Sequence, residues 1–121
     1  MDKKIENLKE RSFRFAIEII NLVRRLSKSV VEREIGRQIL RSGCSIGANI
    51  EEAFAAYTKK EFSHLMNIAK REAKETRYWL RLIKETNIFS QNEKIENLLE
   101  EIDELSKILY TVVKKVQRRV K

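Results

Sequence analysis

The 121-residue sequence has no proline, three glycines, one cysteine and one histidine. Each shortage excludes something. Missing proline and scarce glycine leave few turn formers, and the abundance of Lys, Glu, Arg, Leu and Ile favours helix. A lone cysteine, Cys44, rules out an intrachain disulfide and fits a reducing compartment. A di-iron bundle needs two Glu-x-x-His motifs, and this chain has only Glu61 with His64. That shortage argues against a metal centre, and any Ser-His-Asp arrangement would have to use His64, which nothing marks for it. No run of about 18 apolar residues is present, so no membrane span is expected. The opening MDKKIENLKERS is charged and offers no signal-peptide apolar region. These features predict a cytoplasmic protein that is not an enzyme and carries no cofactor.

Charge is plentiful. Charged residues make up 36% and hydrophobic ones 42%, spread evenly, which disfavours disorder. The net charge is +8; residues 1–28 and 59–87 each carry +4, against −1 for residues 29–58 and +1 for residues 88–121. A basic excess attracts polyanions, nucleic acid among them.

Four apolar rows step by three and four, the spacing of one helix face. The first runs Ile5, Leu8, Ser12, Phe15, Ile19, Leu22, Leu26. The second is Ile35, Ile39, Gly43, Ile46, Ile50, Ala53, Tyr57. The third is Phe62, Met66, Ala69, Ala73, Thr76, Leu80, Ile83, and the fourth Ile95, Leu98, Ile102, Leu105, Leu109, Val112, Val116. Ser29 with Glu32, Thr58 with Glu61 and Ser90 with Glu93 each fit a capping box. Asn87 suits a left-handed helix end. Helices of roughly 30–42 Å joined by short loops predict an all-α, antiparallel up-down-up-down four-helix bundle, one domain over residues 1–121.

The run RSGCSIGANIEEA, residues 41–53, has the small residues of a phosphate loop but not its Lys-Ser/Thr ending or a preceding strand. Gly43 and Gly47 read instead as a close approach by a neighbouring helix, since a glycine inside a helix costs about 1 kcal/mol relative to alanine. Arg41, Ser45, Asn49 and Glu52 align beside it, as either solvated surface or a polar seam.

On the third helix, Lys70, Lys74, Arg77, Arg81 and Lys84 recur at steps of four and three, with Arg71 beside them. They form a basic stripe about 21 Å long, suited to phosphate-backbone contact. Glu72, Glu75 and Glu85 are in reach by sequence to pair with parts of it. Tyr78 and Trp79 lie within it as candidates to stack on bases, with the core the stronger assignment for Trp79. The last helix is acidic over residues 93–104, and its charges over residues 107–121 are all basic. This suits the helix dipole and also offers Lys114, Lys115, Arg118 and Arg119 as phosphate contacts.

RSGCSIGANIEEA, followed by KKEFSHLMNIAKREAKETRYWLRLI, resembles a four-helix-bundle family. Its members include proteins encoded in intervening sequences of bacterial large-subunit ribosomal RNA genes, with the accessory variability proteins of diversity-generating retroelements as relatives. Ser45-Ile46, Asn49-Ile50, Glu52, Phe62, Ala69, Glu75 and Trp79-Leu80 match the family pattern. Ala53 stands where glycine is frequent, and LSKSV where a Leu-Pro pair is. The resemblance implies the bundle fold, a ring-like homopentamer, and binding of RNA or DNA and of a reverse transcriptase through basic surfaces. Phe13, Ile17, Leu40, Phe54 and Ile68 lie off the main rows and predict apolar surface for a subunit contact. The alternative is a purely structural assembly module with no nucleic-acid role.

Overall fold

Apolar residues three and four apart bury one side of a helix, and here four such sides meet. The computed structural model describes residues 3–120, with side chains described for residues 7–116. The helices are α1 (Lys3–Arg25), α2 (Val30–Phe54), α3 (Lys59–Thr86) and α4 (Asn92–Val120), arranged as an antiparallel four-helix bundle. Each packs on the helices next to it in the chain, and α1 closes more loosely on α4.

The rows form the core as the spacing predicts. Leu8, Ser12, Phe15, Ile19, Leu22 and Leu26 of α1 are buried; the side chain of Ile5 lies outside the described residues. Ile39, Ile46, Ile50, Met66, Leu80, Ile83, Ile95, Ile102, Leu105 and Leu109 fill the centre. Tyr57 departs from the pattern and is 98% exposed. Helix α2 ends at Phe54, so the helical period no longer aims Tyr57 inward. Phe89, in the α3–α4 loop, is buried although no period marks it.

The caps follow local chemistry. Thr58 accepts from the Glu61 backbone N–H at 3.0 Å, and the Glu61 carboxylate reaches back to the Tyr57 N–H at 3.4 Å. Ser29 sits at the N-cap of α2, but its hydroxyl donates to the Glu32 carboxylate instead of accepting from the backbone. The Ser90 box does not form: α4 starts at Asn92, and the Gln91 carbonyl accepts from the Lys94 and Ile95 N–H groups, so Gln91 and not Ser90 stands at the helix entry. Asn87 ends α3 at φ 55°, the left-handed conformation expected of it.

The glycines explain the α1–α2 contact. A Cβ on Gly43 would stand 3.0 Å from Ile19 Cγ1 and Cγ2, and one on Gly47 would stand 3.4 Å from the Ser12 carbonyl oxygen. Where α1 and α4 diverge, a groove of about 570 Å³ opens over Phe15, Leu22, Phe89 and Leu98. Arg11 bridges it with a two-pronged contact to Glu101, at 3.1 and 2.6 Å.

Candidate nucleic-acid interface

Lys70, Lys74, Arg77, Arg81 and Lys84 each follow a core residue of α3, namely Ala69, Ala73, Thr76, Leu80 and Ile83. A step of one residue turns about 100°, so the stripe flanks the core on one side of the helix. That side faces α4. Lys84 Nζ meets Glu96 at 2.6 Å, Arg77 Nε meets Asp103 at 2.8 Å, and Lys70 Nζ lies 5.5 Å from the centre of the Tyr110 ring. The three contacts advance seven residues at a time along both antiparallel helices. The Glu96 carboxylate also raises the Lys84 ammonium above its ordinary value, chiefly by hydrogen bonding.

The stripe therefore changes character along its length. Near the α3–α4 loop its bases meet acids. Toward the other end the acids of α4 run out and Tyr110 takes their place. Lys70, Arg71 and Lys74 line a groove of about 760 Å³ with Arg77, Asp103, Ser106, Lys107, Tyr110 and Thr111. Lys114 Nζ lies 5.7 Å from the Tyr110 ring centre, and Lys115 is exposed. Arg71, Lys74 and Arg81 make no ion pair among the described residues, all three being exposed. Arg118 and Arg119 belong to the α4 backbone, but their side chains lie outside the described residues.

The opposite flank of α3 corrects one expectation. Glu72 and Glu75 do not pair with the stripe; they face α2, where Arg41 meets Glu72 at 2.9 Å and also contacts Glu75. The Trp79 indole donates to Glu75 at 3.1 Å. This bond and then Arg41 hold the Glu75 carboxyl below its ordinary range. Tyr78 packs edge-on to Trp79, at 5.2 Å between ring centres, and stays 54% exposed one turn from Lys74, while Trp79 packs against the core. One helix thus carries tethered acids toward α2 and bases toward α4. Its bases toward the Lys70 end keep a positive surplus because Glu72 and Glu75 are held by Arg41, while Glu85 stays beside Lys84.

The polar row on α2 resolves into local bonds and one bridge. Ser45 donates to the Arg41 carbonyl at 2.6 Å, Asn49 donates to that of Ser45 at 2.8 Å, and Glu52 is exposed. Only Arg41 of that row crosses to α3. The buried polar contact lies one residue on, between Ser42 and Thr76. Cys44 is half-buried, and burial pushes its thiol up, the wrong direction for a nucleophile. Among the described residues no three of His, Cys, Asp and Glu gather to hold a metal ion.

Residues 6–111 match the family model described as 23S rRNA-intervening sequence protein. The chain belongs to that family. A crystal structure of a protein of unknown function from the S23 ribosomal protein family of Bacteroides thetaiotaomicron is 40% identical, with a TM-score of 0.84. The match covers 92% of this chain and 98% of that one. A comparison with curated proteins finds no match. Membership in the 23S rRNA-intervening sequence proteins carries the bundle fold, and neither description names an enzymatic activity. No described helix is long and apolar enough to cross a membrane.

Sequence reasoning missed Tyr110. Its signal is a row on α4, Glu96, Asp103 and Tyr110, that repeats every seven residues one position past the buried row. Pairing that row against Lys84, Arg77 and Lys70 needs the antiparallel register of two helices joined by a short loop and the side of α3 on which α4 packs.

Proposed function

We propose that this 23S rRNA-intervening sequence protein is a non-enzymatic nucleic-acid-binding bundle that acts as a ring-like homopentamer. The α3–α4 seam would hold the phosphates. The supporting observation is the gathering of Lys70, Arg71 and Lys74 along one groove with Lys114 beside its Tyr110, where Asp103, the one lining acid among the described residues, is already met by Arg77. Arg77 and Lys84 would have to leave Asp103 and Glu96 to meet phosphate, so they contribute less. Arg81 extends the basic surface. Phosphate contacts position a polyanion without reading its sequence. Both RNA and DNA are therefore ligands on this reading.

Filter binding of the assembled protein to RNA and DNA at two salt concentrations tests it. Affinity should fall steeply with salt. Replacing Lys70, Arg71 and Lys74 together by Gln should flatten the slope of log affinity against log salt by about 2 to 3, near one per lost phosphate contact. Replacing Arg77 and Lys84 should flatten it less. No binding at low salt ends the reading.

The Arg77–Asp103 and Lys84–Glu96 pairs favour a second reading, a purely structural assembly module whose bases serve the bundle itself. On that reading the Gln variants keep every partner. A reverse transcriptase as protein partner, in a diversity-generating retroelement, is the narrowest form of the proposal and rests on the family resemblance alone. Co-purification with a reverse transcriptase encoded beside the gene supports it, and a gene neighbourhood without one removes it.

A further inference from the structure

An aromatic ring set between two ammonium groups is more than a phosphate-neutralising surface requires. Tyr110 is 55% exposed, directly after the buried Leu109 on α4. Lys70 reaches toward its ring from α3 and Lys114 from the next turn of α4, at 5.5 and 5.7 Å from the ring centre. The core beneath is closed by Leu109, Val112 and Val113, all buried, so the bundle does not need the ring for its packing. Among the described residues the only acid lining this groove is Asp103, and Arg77 occupies it.

Resting on the phosphate-binding reading, we infer that the α3–α4 groove takes single-stranded nucleic acid, with one base stacked on Tyr110 and the flanking phosphates held by Lys70 and Lys114. A duplex hides its base faces inside the stack and offers this groove only its backbone. An unpaired strand offers both. Every base has a π face, so a tyrosine platform accepts any sequence. The two ammonium groups sit on long flexible stems, and either can leave the ring for a phosphate as a base takes its place. The groove, at about 760 Å³ and open to solvent, has room for a nucleotide. Ser106 and Thr111 add hydroxyl groups to its lining.

Fluorescence anisotropy with labelled oligo(dT), oligo(rU) and a blunt mixed-sequence duplex, on the assembled full chain, tests this. Tyr110→Ala should weaken oligo(dT) and oligo(rU) binding about tenfold and leave duplex binding within about twofold. Tyr110→Phe, which keeps the ring, should bind like the parent. Lys70→Gln with Lys114→Gln should weaken all three probes. The substituted ring is exposed, so circular dichroism should show an unchanged fold. A loss confined to one of the two single strands supports the stack and shows a preference for that strand, whose sugar and 5-methyl group both differ from the other's. If Tyr110→Ala binds single strands like the parent, or loses the duplex equally, stacking is overturned while the phosphate seam stands. If the parent binds none of the three probes at low salt, both fall.

Discussion

The hydroxyls of Ser42 and Thr76 meet 2.9 Å apart in the core between α2 and α3. Both residues are fully buried. Thr76 Oγ1 also lies 2.8 Å from the Glu72 carbonyl oxygen, and Ser42 Oγ 3.5 Å from that of Ile39, so each proton has an acceptor. A hydrogen-bonded pair in a low-dielectric core is costly to half-remove. Thr76→Val, which keeps the shape, should destabilise the bundle by about 1–2 kcal/mol because the Ser42 hydroxyl is left with one long contact. Ser42→Ala combined with Thr76→Val should cost less than the two single changes added together. Urea denaturation of the four proteins measures this, and strict additivity would show that the hydroxyls are not coupled.

Two glycines four residues apart should respond oppositely to alanine. Removing a glycine from a helix interior gains about 1 kcal/mol. At Gly47 the added methyl meets Ser12 at ordinary contact distance, so Gly47→Ala should be neutral or stabilising. At Gly43 it would stand 3.0 Å from two carbons of Ile19, a fully buried β-branched side chain that is stiff about its first side-chain torsion. Overpacking there costs about 1–3 kcal/mol, which outweighs the helix gain. Gly43→Ala should therefore lower the melting temperature relative to Gly47→Ala. Equal melting temperatures would mean that Ile19 yields.

Much of this was legible in sequence because burial in a helix is periodic. The rows from Leu8 to Leu26 and from Ile95 to Val112 could be read directly, and the small residues at Gly43 and Gly47 pointed to packing because no strand preceded them. A helical wheel gives the angle between side chains, however, not which neighbour stands on which side. That depends on the turning sense of the bundle. The Lys70–Lys84 stripe could thus be found, but its separation from Glu72 and Glu75 could not. Tyr57 was misplaced because α2 stops without a glycine or asparagine signal; its cap is Ala55. Phe89 stands alone in a break, where no period marks a buried residue.

The Glu75 carboxyl links stability to pH. The Trp79 indole and then Arg41 lower its value in the folded protein, so folding favours the ionised form. Its contribution is present above the ordinary glutamate range and is lost as pH falls through the lowered folded value. The side chain is 36% exposed, so solvent screening holds the effect to about 1 kcal/mol or less. Glu75→Gln should be less stable than the parent near neutral pH, with the gap closing as pH falls below the ordinary glutamate range. Trp79 emission should shift over the same acid range in the parent and not in the variant. A stability gap independent of pH would show that Glu75 acts through packing.

The proposed ring can be tested through the outer surface of α1 and α2. Phe13, Ile17 and Leu40 are 59%, 42% and 37% exposed, while Phe54 and Ile68 are half-buried. Phe13 and Ile17 stand one turn apart on α1. Contacts of α2 with Ser12 and Ile19 bracket that same stretch of the helix. Beside Phe13, Lys9 and Glu51 pair across the seam at 3.5 Å. Apolar surface of this kind on a charged protein marks a contact, and another copy of the chain is the occupant on this proposal. Light scattering at moderate salt should give about five times the 14.4 kDa chain mass. Phe13→Glu with Ile17→Glu should return the mass to that of one chain with helicity intact, because neither side chain belongs to the core. Nucleic-acid affinity should fall with it, since five linked seams act through effective concentration and a single seam cannot. A parent protein that stays monomeric across micromolar concentrations would remove the ring, and with it the argument that weak phosphate contacts combine into tight binding.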